Sequence, residues 1–120
     1  MRQRGSAAVE FALVLPVLLL VLYAVVEVAV VARAQLELVQ AAREGAREAA
    51  TVADPARAVA AVKATLGPRL GDRVRVSVRR PAEVGSRAEV SVLLPHRVAA
   101  PLLGGFELRL QARAAMRVER

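Results

Sequence analysis

A carboxylate, Glu10, stands at the head of a run that carries no charge from residue 11 to residue 26. An ionisable side chain in a membrane-length helix costs on the order of 2.5 to 3.5 kcal/mol at the bilayer centre by insertion scales, so a chain that keeps one there has a use for it. Glu10 therefore calls for a partner. A five-residue basic leader containing Arg2 and Arg4 precedes it and ends in Gly5. A cut after Gly5 would free the amine of Ser6, four residues before Glu10 and on the same helical face. That amine could equally meet the Glu10 of a neighbouring chain.

Residues 11–32 number 22 with only Glu27 charged, and at about 1.5 Å per residue they extend roughly 33 Å, enough for the hydrocarbon core. Pro16 removes one backbone donor from this segment and is a potential kink. Glu27 lies one turn after Tyr23 near the far end of the span, where it reaches the headgroup layer or bonds a neighbouring helix. A secretory signal is the competing reading, with Ala32-Arg33-Ala34 as a small-x-small cleavage site. The apolar stretch exceeds the usual h-region, and Glu10 and Glu27 would serve nothing in a discarded peptide.

Gly5, four residues and then Glu10-Phe11 resemble the type IV prepilin processing site as used by tight-adherence (Flp-type) pili. Further along, Ala12-Leu13-Val14-Leu15-Pro16, the block Ala41-Ala42-Arg43-Glu44-Gly45-Ala46-Arg47 and the late Ala114-Ala115-Met116-Arg117 are similar to the TadE-like minor pseudopilins. The resemblance implies a precursor cut between Gly5 and Ser6 by a prepilin peptidase, with Glu10 and Phe11 recognised at the membrane face. It also implies that Glu10 registers subunits, that partners are other pilins or pseudopilins and an inner-membrane assembly platform, and that the chain is no enzyme. The positive-inside count is nearly a tie between Arg2 and Arg4 on one side and Arg33, Arg43 and Arg47 on the other. The expected orientation, N-terminus inside and the bulk outside the cytoplasmic membrane, rests on the resemblance and on the short basic leader.

Charge and composition narrow the remaining classes. The formal net charge of +7 invites nucleic acid, but seventeen of the eighteen basic residues are Arg scattered from Arg2 to Arg120, with no aromatic platform between them. A solvated Arg-rich surface accounts for them. Loss of residues 1–5 would leave 16 minus 11, or +5. His96 is the single histidine and there is no cysteine, so a zinc site or nucleophilic triad lacks its parts and no cofactor or metal is expected.

Beyond Arg33, residues Leu36, Val39, Ala42, Ala46, Ala49 and Ala53 recur at helical spacing and predict that the first helix continues to about residue 50. Gly45 within it allows another backbone to approach closely, or is a plain surface glycine. Asp54-Pro55 reads as an N-cap with proline in the first turn, opening a second helix that Gly67-Pro68 closes. Period-two alternation in Val74, Val76 and Val78, in Ala88, Val90, Val92 and Leu94, and from Phe106 to Met116 predicts three half-buried strands, their outward charges paired Arg to Glu across strands. Residues 95–105 are expected to form a long loop exposing Val98, with Leu102 and Leu103 tucked beneath the helix.

The expected fold is α+β: a leader over residues 1–5, a long helix over 6–50 that crosses the membrane at about 9–32, and a soluble domain over 51–120 in which a second helix packs on a three-stranded antiparallel sheet. The expected function is that of a minor pseudopilin in pilus assembly, with Gly5, Ser6, Glu10 and Phe11 as processing site. Glu10, Pro16, Glu27 and Gly45 are the expected helix–helix assembly residues. The competing class is a membrane-tethered extracellular binding module using the loop at residues 95–105.

Overall fold

The computed structural model describes residues 2–100 and 104–119, with side chains considered for 5–99 and 104–119. The elements run α1 (Arg2–Thr51), α2 (Pro55–Gly71), β1 (Arg75–Arg79), β2 (Arg87–Ala100) and β3 (Gly104–Arg117). The chain forms two compact units, Met1–Ala32 and Arg33–Arg120, so the fold is α+β, as expected from the sequence.

The first unit is helical over its described length, and α1 is unbroken across Pro16. Helix also covers residues 2–5, ahead of the expected start. Side chains of the apolar run are exposed all around, Phe11 by 64 % and Leu13 by 71 %. A helix apolar on every face is one made for lipid or a protein core, and the best window has a mean hydropathy of 2.8 with none of it buried. By length and composition this helix can cross a membrane.

In the second unit, Leu38, Ala41, Ala42, Gly45, Ala46, Ala49 and Ala50 are buried. Residues 38, 42, 46 and 50 and residues 41, 45 and 49 form two adjoining rows at four-residue spacing, a single apolar stripe. The expected stripe was right at Ala42, Ala46 and Ala49, but Leu36 is 66 % exposed and Leu38 fully covered, because Leu38 and not Leu36 is in phase with the alanines that follow. Small residues along the rest of the stripe let the helix backbone lie close to what it covers.

The covered surface is one face of a sheet in the order β1-β2-β3, antiparallel throughout. Ala88, Val90, Val92, Leu94 and Val98 of β2 and Leu110 and Ala112 of β3 are buried. All are even-numbered and therefore on one side of the pleat. α2 starts as its sequence foretells: the Asp54 side chain accepts from the Ala56 N–H at 3.0 Å. It buries Ala58 and Val62, and Gly67, with φ of 79°, breaks it before Pro68.

The hairpin differs from expectation. Residues 95–100 and 104–105 are strand and not loop: β2 continues to Ala100 and β3 starts at Gly104, with pairs such as Pro95 with Arg109 and Val98 with Phe106. Val98 is 7 % exposed instead of open to solvent. Proline is tolerated because β1 ends at the pair Arg75–Leu93, leaving that side of β2 open at Pro95. The Pro95 carbonyl accepts from Arg73 Nη2 at 3.4 Å, so the residue's missing N–H faces the open side and costs β3 no hydrogen bond. The tuck expected for Leu102 and Leu103 lies outside the described residues.

Candidate processing and assembly site

The chemistry legible in the first unit lies on successive turns of one helix. Gly5, Ser6, Glu10 and Phe11 are all exposed, and a side chain added at Gly5 would meet nothing within 4 Å. The Gly5–Ser6 bond is thus unobstructed by the fold. Glu10 makes no hydrogen bond or ion pair among the described residues. It is one turn from Ser6, close enough for a freed amine to share its face. Pro16 is exposed and Glu27 half-buried between exposed neighbours.

Gly45 belongs to the second unit and has a different surrounding. A Cβ built there would come within 2.5 Å of Val62 Cγ2 in α2, 3.1 Å of Val90 Cγ1 in β2 and 3.5 Å of the Ala58 carbonyl oxygen. The close approach foreseen for this glycine is made to the chain's own second helix. A plain surface glycine is ruled out, and no room remains at Gly45 for a neighbouring subunit.

The outward sheet face is more basic than the sequence reading allowed. Arg79 opposes Glu89 and Arg97 opposes Glu107 in register, yet neither pair closes to an ion pair among the described residues. Arg33–Glu37, Arg47–Glu44 and Arg57–Glu48 do close to within 4 Å, and all six are helical residues. The expected cross-strand pairing of most charges is therefore corrected. Seven arginines face two glutamates on this side, at residues 75, 79, 87, 97, 109, 113 and 117 against 89 and 107, and Arg87 even opposes Arg117. An open cavity of about 330 Å³ lies among them, lined by Arg75, Ser77, Ser91, Gln111 and Arg113 with Val76 and Leu93. The signal was present in the alternation of Arg with apolar residues, and the assumption of pairing hid it.

Neither a curated protein nor a solved structure was found to match the chain. The family model described as TadE-like protein matches residues 5–47. That span opens on Gly5, takes in Glu10, Phe11 and the whole apolar helix, and closes on Arg47 at the end of the Ala-Arg-Glu-Gly-Ala-Arg block. From Gly5 to Arg47, a little over a third of its length, the chain is similar to the TadE-like family.

Proposed function

We propose that the chain is a minor pseudopilin, made as a precursor, cut between Gly5 and Ser6 by a prepilin peptidase and used in assembling a tight-adherence pilus or a related secretion device. The observation that carries this reading is the start of the family match at Gly5, the residue that would end the leader. Helix α1 anchors the protein in the cytoplasmic membrane with its N-terminus inside and the second unit outside. Glu10 pairs with the new Ser6 amine of its own or a neighbouring chain, which offsets the cost of a carboxylate entering lipid. Phe11 supplies the apolar side chain at the recognition point, and Pro16 and Glu27 take part in contacts between helices within the bilayer. The peptidase, other pilins or pseudopilins, the assembly platform and membrane lipid are the partners; all bond-breaking chemistry belongs to the peptidase.

Intact mass of the protein purified from the membranes of its native host, with its N-terminal peptide fragmented, tests the reading. A chain starting at Ser6 is expected. A start at Gln35 would mean a secreted protein, and an intact leader would leave a membrane-tethered module.

A further inference from the structure

Two periodicities coincide along β3. In a strand the side chains alternate between the two faces of the sheet, and the main-chain N–H and C=O groups alternate between its two edges. The Pro95 carbonyl turns to the β1 side of β2, where it accepts from Arg73, so its pair with Arg109 exchanges no hydrogen bonds. The odd-numbered residues of β3 therefore carry their main-chain groups on the edge away from β2. Val118, even-numbered, donates to Ser86 and accepts from Gly85 on the β2 side, as this alternation requires. The strand order leaves β3 at the end of the sheet, and its odd-numbered residues also place their side chains on the outward face. Edge and charge are thus offered by the same residues.

Part of that edge is already closed, because Gln35 Nε2 donates to the Gln111 carbonyl at 2.9 Å. Past it, Arg113, Ala115 and Arg117 are exposed, and their edge N–H and C=O groups have no partner among the described residues. Arg113 is held by a neutral group, the Gln111 side-chain oxygen, which accepts from its Nε at 3.1 Å when the amide is turned toward it. Arg117 stands opposite Arg87. Glu89 lies across from Ala115 but also faces Arg79 of β1, so the surface around residues 113–117 stays positive. This stretch of edge extends about 13 Å at about 3.3 Å per residue.

We propose that the β3 edge from Arg113 to Arg117 is a docking site for an extended acidic segment of a partner protein, which adds as a fourth, antiparallel strand and sets a carboxylate opposite each arginine. The arginines are four positions apart, so the segment carries Asp or Glu at two positions of the same spacing, with a small residue midway, opposite Ala115. A free main-chain edge selects a polypeptide over a nucleic acid or a lipid headgroup, since only a chain of amides returns both N–H and C=O bonds at this spacing. The arginines select an acidic one, because opposite charges across strands stabilise and like charges destabilise. A second copy of this chain is disfavoured on the same ground. Two β3 edges paired about Ala115 would set Arg113 against Arg117 twice, and any antiparallel register that sets Glu107 against either arginine runs through Gln111, whose carbonyl Gln35 occupies. Arginines on an edge hinder indiscriminate pairing; here they also decide which strand is admitted. The site lies wholly in the second unit and does not depend on a cut at Gly5.

A blocked, dye-labelled peptide, Thr-Val-Glu-Val-Ala-Val-Glu-Val-Thr, titrated with the full chain in neutral detergent and followed by fluorescence anisotropy, tests the proposal. It is expected to bind, more weakly as salt is raised. The same peptide N-methylated at both glutamates and the alanine should not bind, because those amides would face β3. Arg113→Glu combined with Arg117→Glu should weaken binding by about tenfold and should admit the peptide with lysine in place of both glutamates. Arg75→Glu, on the far strand of the sheet, should weaken it far less. No binding of the unmodified peptide at low salt would overturn the proposal. Equal binding of the N-methylated peptide, an equal loss with Arg75→Glu, or displacement by duplex DNA or phosphatidylglycerol vesicles at matched charge would also overturn it, since each reports attraction to the basic face without an added strand. The N-methylated contrast uses the unaltered chain and decides the matter even if the double variant fails to fold.

Discussion

Arg80 Nε donates to the Ala49 carbonyl at 2.6 Å in a partly buried site, and it does so at a helix end that has little else to satisfy it. The last carbonyls of a helix have no intrahelical donor. In α1, Glu48 is served by Val52 N–H, Ala49 by Arg80 and Ala50 by the N–H of Glu119. A positive side chain here also suits the negative end of the helix dipole. Replacing Arg80 with Ala is expected to lower stability by about 1–3 kcal/mol, the cost of a lost charged hydrogen bond and an orphaned carbonyl. Denaturant unfolding of the full chain in neutral detergent, followed by the sheet signal, checks it; an unchanged midpoint would show that water caps Ala49 equally well.

Gly45→Ala should destabilise although alanine is the better helix former by about 0.5–1 kcal/mol. The new methyl meets Val62 Cγ2, and overpacking of this kind costs about 1–3 kcal/mol. The double variant Gly45→Ala, Val62→Ala should be less destabilised than the sum of the two single variants, a positive coupling measured by a double-mutant cycle. Additivity would contradict the contact.

Leu38 and Leu36 differ by two positions and should differ sharply in energetic weight. Leu38→Ala removes a fully buried side chain and is expected to cost about 2–5 kcal/mol. Leu36→Ala, at an exposed site, should stay within about 0.5 kcal/mol. Equal effects in thermal unfolding would mean that the helix is rotated from the orientation described.

Arg117→Glu should stabilise the hairpin by about 0.2–1 kcal/mol, since it turns the like-charged pair with Arg87 into an opposite one. The gain should shrink as salt is raised, which distinguishes it from a packing effect in the same unfolding assay.

Gly5→Leu and Glu10→Gln test the proposed function in the native host. Both variants should remain in the membrane fraction, and each should lose leader removal or pilus assembly, read by N-terminal mass and by surface piliation. Normal piliation in both would remove the pseudopilin reading.

Much of this fold was legible because its signals are local. Asp54-Pro55 marks the start of α2 and Gly67-Pro68 its break, and the alternation of valines marks the strands. The hairpin was misread for an equally local reason: Pro95 and the Gly104-Gly105 pair look like loop punctuation, and only knowledge that β1 stops opposite Leu93 shows why proline is harmless there. The phase error at Leu36 has a similar origin, since a helix crowded with apolar residues offers several stripes and the sheet chooses among them. The proposed processing residues Gly5, Ser6, Glu10 and Phe11 were singled out from spacing and resemblance. The burial of Gly45 against Val62 and the unpaired state of the sheet arginines were not, because both depend on which distant residues share a face.

The hydrogen bond from Glu119 to Ala50 joins residues 69 positions apart and closes the fold on its own beginning. β3, the last strand, completes the ladder of β2, and Val118 behind it exchanges hydrogen bonds with Gly85 and Ser86. Contacts so distant along the chain form slowly, because a large loop must close before they return any energy. A chain still emerging, whether from the ribosome or across a membrane, can form α2 and its cap but has no partner for the third strand until residues near 118 are free. Until then the valines of β2 lack their cover, so the interval between the appearance of Val90 and that of Val118 is when this molecule is most exposed to wrong strand pairing and proteolysis.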